Sequence, residues 1–300
     1  MMDALDKSDA IEQATMTRVA DIYASALRQA LKNKKAFLQK VKDVEKGKIK
    51  PPAYYVQRGE VEKWRQGFFR ELIRHDAVID GIMRELNKAG VEAAKLIRGS
   101  LVKVYAANRQ ETVDNITREV ERYGYFGVTF AMYDKRQIAV LISEGESPFS
   151  QIAYNNLGDN PVARRRLQNE LALATILGEG QKQIIERLRK VTKQTVEQAR
   201  RVAQTERTRV QSQARWEASH EAAEQGVFIE NTWSARMVNT RESHVALNGT
   251  KKPQGVPFVT PDGDELMYPG DPSAPAKEVI NCFCVLVPHV VRKGVKSSED

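Results

Sequence analysis

Seven of the eleven prolines fall between Pro253 and Pro288, interspersed with Gly255, Gly263 and Gly270. Proline fixes φ and removes a backbone donor, so no long helix runs through such a stretch. Upstream the opposite holds: residues 9–44 contain neither glycine nor proline and are rich in Ala, Leu, Lys and Gln, a composition that favours continuous helix. After Gly226, Phe228 to Trp233, Val256 to Val259 and Val285 to Val287 are short apolar runs bounded by turn residues, which reads as short strands. The expected class is α+β: a predominantly α-helical, elongated N-terminal part followed by a small C-terminal α+β module.

Punctuation along the chain gives the expected divisions. Residues 1–50 form an N-terminal helix or arm, with Ile11, Val19, Ile22, Ala26, Ala30 and Leu31 as its apolar stripe, and Pro51 and Pro52 stop it. A helical domain over 51–160 has stretches at about 57–89, 91–122 and 128–143, divided at Gly90 and at the turn from Gly124 to Gly127. Pro148, Asn155, Asn156, Gly158, Asp159, Asn160 and Pro161 predict a closing loop. A helical connector over 161–227 follows, broken at Gly178 and Gly180. It ends in a helix over about 192–225 whose Val196, Ala199, Val202, Ala203, Val210, Ala214, Ala218 and Ala222 make a small-residue face, with Gly226 as its cap. The module spans 228–292, and a loose basic tail spans 293–300.

The net charge of +8 is uneven: 8 basic and 9 acidic residues from Phe228 onward leave 39 basic against 30 acidic before it. The helical part therefore suits a phosphate backbone or an acidic protein surface, or simply a solvated one. No run of about 18 apolar residues offers a membrane span, and the first thirty residues lack a secretory apolar stretch; the reading is a soluble protein with no membrane partner. Cys282 and Cys284 are the whole cysteine complement, too few and too close for a disulfide framework.

Chemistry concentrates in Arg241, His244, Asp271, Cys282 and Cys284. Thiolate and imidazole are preferred zinc ligands, so His244, Cys282 and Cys284, with Asp271 or His289 as a fourth group, admit a structural zinc. Buried cysteines also pack as small hydrophobes, and a single Cys-x-Cys leaves both readings open. Without an H-E-x-x-H or paired carboxylates, hydrolysis is a minor reading. Arg164, Arg165 and Arg166 are a candidate nucleic-acid contact or a solvated helix start. Glu206, one turn from Arg209 and Val210, is expected to pair with an arginine or reach the module. Arg241 is expected to fork onto Asp271 or Glu206.

Taken in order, a long helix carrying Thr205 and Glu206, the strand with Trp233, the Thr-Arg-x-x-His of Arg241 and His244 with Leu247-Asn248-Gly249, the turn Tyr268-Pro269-Gly270-Asp271-Pro272, and Asn281-Cys282-Phe283-Cys284 resemble the phage head morphogenesis family, the minor head proteins of the Mu F and SPP1 type. Phe283 departs from the basic residue usual between those cysteines. The resemblance implies a non-enzymatic component of the virion, in the head interior or at the portal vertex, made in the host cytoplasm. It implies the portal protein as partner, with scaffolding or major capsid protein beyond it, and a part in head assembly and DNA packaging or ejection. A capsid-carried protein binding double-stranded DNA and a metal-dependent nuclease are the alternatives.

Overall fold

The computed structural model describes residues 2–75, 77–125, 127–237 and 239–292; the basic tail expected over 293–300 lies outside them. Among the described residues, nine helices precede the module: α1 (Met2–Asn33), α2 (Lys35–Glu45), α3 (Ala53–Gln57), α4 (Val61–His75), α5 (Val78–Tyr123), α6 (Lys135–Glu144), α7 (Pro148–Gly158), α8 (Pro161–Ile176) and α9 (Gln181–Glu224). The module then runs β1 (Ile229–Ser234), α10 (Glu242–Ala246), β2 (Lys251–Pro253), β3 (Phe258–Val259), β4 (Glu265–Leu266), α11 (Ala276–Val279) and β5 (Val285–Val290). The fold is α+β, with the strands of the described residues confined to the module.

Compact packing draws on non-consecutive stretches. One unit takes residues 1–16, 97–152 and 200–300, and the other takes 17–96 and 153–199. In the second unit α1 buries Val19, Tyr23, Leu27 and Ala30, a seam at helical spacing that shares only Val19 and Ala30 with the expected stripe. Gly90 does not break a helix. It lies inside the 46-residue α5, where a Cβ would stand 1.6 Å from the Leu157 carbonyl oxygen, so its missing side chain lets α7 approach. The loop expected around Pro148 is helix α7 itself. Ser147 Oγ accepts from the Ser150 amide at 3.1 Å, and Pro148 at the first helical position gives up a donor that would be unsatisfied anyway. Asn160 caps α8, its Oδ1 accepting from the Ala163 amide at 2.8 Å.

In the first unit the small-residue face of α9 is buried, with Val210, Ala214, Ala218 and Ala222 fully covered. Val210 and Ala214 pack on Leu101, Val104 and Tyr105 of α5, and Ala222 packs on Ile116 and Val120. The break expected at Gly124 is real, but the helix expected from 128 does not begin until Lys135, because Asp134 and Gln137 cap it there in a reciprocal box.

The module's three-stranded sheet has the order β2-β1-β5, antiparallel throughout. β1 alternates buried and half-buried residues, turning Ile229, Asn231 and Trp233 inward. Pro288 is tolerated because β5 is the outer strand of this sheet. Its edge is covered: Glu119 accepts from the Val290 amide at 2.7 Å and the Arg215 guanidinium donates to the Leu286 carbonyl at 3.2 Å. No helix among the described residues is long and apolar enough to cross a membrane.

Candidate metal centre and its helix clamp

β1 and the segment after it set up the centre. Trp233, wholly buried, faces Leu286 across the sheet and lies edge-on to His244 and Phe258, with ring centroids 5.0 and 5.3 Å apart. His244 sits on the short α10, whose return to β2 is fixed by Asn248 and Gly249. Asn248 Oδ1 accepts from the Ala235 amide at 2.9 Å, and the Gly249 amide donates to the Trp233 carbonyl at 2.8 Å.

The imidazole meets both cysteines through one nitrogen. His244 Nδ1 is 3.4 Å from Cys282 Sγ and 3.5 Å from Cys284 Sγ, and all three side chains are buried. The Cys284 amide also donates to Cys282 Sγ at 3.4 Å. A hydrogen bond from the Cys284 thiol, opposed by burial and aided by His244, holds the Cys282 thiol well below its ordinary range; the Cys284 thiol is pushed up by the same contact and by burial. On the far side of the ring, Nε2 stands 3.0 Å from Glu278 Oε2, a carboxylate only 3% exposed, which also accepts from Ser243 Oγ at 2.9 Å.

The other two groups considered for this site lie elsewhere. Asp271 spends both oxygens on its own turn, accepting from the Met267 amide at 2.8 Å and from the Ser273 amide at 2.9 Å. His289 is on β5 beside Glu119. A second acidic group, Asp262, Asp264 and Glu278, already surrounds the Lys277 ammonium, 3.2 Å from Asp262 and 2.6 Å from Asp264.

Helix α9 grips the Cys-x-Cys turn. Thr208 Oγ1 and Gln204 Nε2 donate to the Cys282 carbonyl at 2.6 and 3.2 Å, and Thr205 Oγ1 accepts from the Asn281 amide at 2.9 Å. Glu206 takes the arginine partner: it accepts from Arg209 at 2.9 Å and from Ser150 Oγ at 2.6 Å, all buried. Arg241 reaches neither Asp271 nor Glu206; it donates to the Ile280 carbonyl at 2.6 Å, because the turn before Cys282 presents that oxygen. Gly270, at φ +83°, presses its Cα onto α9, where a Cβ would meet the Arg209 backbone at 2.8 Å. Tyr268 packs on Trp216 with ring centroids 5.9 Å apart.

Arg164 is held by Asp80 at 2.8 Å in the other unit, while Arg165 is exposed and Arg166 half-buried. The structure also uses residues that carry no motif: Glu278, reading as an ordinary helix-surface residue, and Arg207, which pairs with Asp9 and, at 2.7 Å, with Glu12. Phe283 lines a cleft of about 350 Å³ beside Arg207, Arg236, Asp9 and Glu12. There burial, resisted by Arg207, raises the Glu12 carboxyl, whereas Asp9, against the same burial, is lowered by Arg236 and Arg207.

No curated protein and no solved structure matches the chain. Residues 165–287 match the family described as phage Mu protein F like protein. The match takes in most of α8, all of α9 and the module up to β5, including the clamp and the His-Cys-Cys cluster. Over that segment the chain is similar to the phage Mu F-like proteins, in agreement with the resemblance read from its motifs.

Proposed function

We propose that the protein is a minor head component of a tailed bacteriophage virion, associating with the portal and acting in head assembly and in DNA packaging or delivery. The match over residues 165–287 carries this reading. The module supports it: its chemistry-bearing residues are spent on closing the fold and gripping α9, which suits a rigid docking unit. Apolar Phe228, Val245, Val256, Val259 and Ile280 stay exposed on it as groups a partner protein would cover.

Tagged protein expressed in host cells with the portal protein of the same phage is expected to co-purify with it as a salt-resistant complex. Absence of association, together with normal heads assembled by a phage lacking the gene, would overturn the reading. The positive balance before Phe228 favours a second, DNA-binding role, which retention on duplex DNA falling steeply with salt would reveal. Plasmid incubated with the protein and divalent ions is expected to stay intact.

A further inference from the structure

We propose that His244, Cys282 and Cys284 bind a single structural zinc ion through Nδ1 and the two sulfurs, with Glu278 as the residue that orients the imidazole. The inference rests on the geometry of the cluster and is independent of any role at the portal.

The distances fit a tetrahedral ion. Donor atoms placed ~2.3 Å (sulfur) and ~2.0–2.1 Å (nitrogen) from zinc at tetrahedral angles stand about 3.5 Å apart. Here Nδ1 lies 3.4 and 3.5 Å from the two sulfurs, and the three donor atoms fall within 4.8 Å of one another. Three separate features converge on that point. The Cys282 and Cys284 side chains lie on one side of a turn in which Asn281 adopts φ +58°. The imidazole presents the same nitrogen to both. Its other nitrogen, which makes no hydrogen bond in this arrangement, lies 3.0 Å from the buried Glu278 carboxylate, so a small turn of the ring would let that carboxylate fix the tautomer of a metal-bound histidine. No fourth protein donor joins the group among the described residues. The ion would tie α10 to the Cys-x-Cys turn that α9 holds from the other side.

Elemental analysis of the purified full-length chain, saturated with zinc and then desalted, is expected to give about one equivalent of zinc per chain. Cobalt substitution should give a thiolate-to-cobalt charge-transfer band and the strong visible absorption of tetrahedral coordination. Cys282→Ser, Cys284→Ser and His244→Ala should each lose the metal. Glu278→Gln, which keeps every ligand, should retain it with affinity about 10–100-fold weaker. Asp262→Asn should bind as the parent does, separating this centre from the acidic group around Lys277. Circular dichroism shows whether each variant still folds, and Glu278→Gln keeps the test informative if the cysteine variants do not. The proposal is overturned if folded, zinc-saturated parent protein retains less than about a tenth of an equivalent, or if folded Cys282→Ser/Cys284→Ser binds as much zinc as the parent. A portal complex that forms normally with zinc-free protein would leave the functional reading standing, and failure of that complex would leave the metal assignment standing.

Discussion

Gly270 is where the module touches the helix most closely, and two separate demands meet there. Its φ of +83° excludes most side chains, and a Cβ would collide with the backbone of Arg209 at 2.8 Å. Gly255 makes the first demand without the second: its φ is +85° and nothing lies within 4 Å of its absent Cβ. The pair therefore separates strain from collision. Gly255→Ala is expected to cost about 1–2 kcal/mol, the left-handed penalty alone. Gly270→Ala is expected to cost about 2–4 kcal/mol, since overpacking against an unyielding neighbour adds to it. Urea denaturation followed by tryptophan fluorescence would measure both, and equal losses would show that Gly270 does not bear on α9. At this scale the types of residue at the centre were legible while their partners were not. His and two Cys announce a shared site because few other side chains carry such donors. Glu278 gives no such notice, since a glutamate in Ala-Lys-Glu-Val looks like any helix-surface acid until the chain turns it inward. Arg241 was misassigned for a related reason: a guanidinium satisfies itself on any well-placed oxygen, and a backbone carbonyl leaves no trace in the sequence.

Among the helices, the informative case is α5. Glycine inside a helical pattern ordinarily costs about 1 kcal/mol relative to alanine, and the sequence alone cannot say whether such a glycine ends the helix or admits a neighbour, because both uses depend on the same missing atom. Gly90 admits α7, whereas Gly99, in the same helix, is exposed and has nothing within 4 Å of its Cβ position. Opposite signs follow. Gly99→Ala should stabilise the protein by about 0.5–1 kcal/mol, and Gly90→Ala should destabilise it by about 2 kcal/mol or more, because the gain in helix propensity is outweighed by pushing α7 away. Thermal melts of the two variants would check this, and a stabilised Gly90→Ala would sink the close-approach reading. Helix α7 was hidden by its composition. Pro148 and the pair Asn155 and Asn156 are turn formers in isolation, yet proline at a first turn and asparagines on a helix already packed by buried Tyr154 and Leu157 are overruled by tertiary burial. The strands were located to within a few residues because proline and glycine bound them tightly, whereas β2 and β4 are too short to show any alternation.

For the molecule as a whole, buried tyrosines set the response to base. Burial pushes Tyr23 up to about 12 from 10.0. Tyr105 is raised by burial and by Glu217, with which it shares a hydrogen bond, and Tyr268 by burial and by Asp271. Each is an acid whose folded form keeps its proton where the unfolded chain has released it. Their contribution is therefore fully present below about pH 10 and is lost as pH rises through 10 toward 12. Arg215 works in the other direction, since burial, only partly offset by Glu111, lowers it to about 10, so the cost of its buried charge is relieved over the same range. Three tyrosines against one arginine predict a net loss. Helicity and tyrosinate absorbance should change together above about pH 10, and a smooth tyrosine titration with helicity intact would refute this. The division into compact units was the part of the architecture least available from the sequence, because it depends on partners far apart in the chain, whereas composition speaks only of neighbours.

One such pairing also has a clock attached. Arg207 closes on Asp9 across 198 residues, and a ribosome adding ~5–20 residues per second takes roughly 10–40 s to supply the arginine after the aspartate has emerged. Every stretch of the unit that holds residues 17–96 and 153–199 is synthesised before that arginine is. During synthesis, then, that other unit already has all its parts and Ser8 can already meet Asn108 of α5, while Asp9 still waits for its arginine, and the Cys-x-Cys turn is made later still.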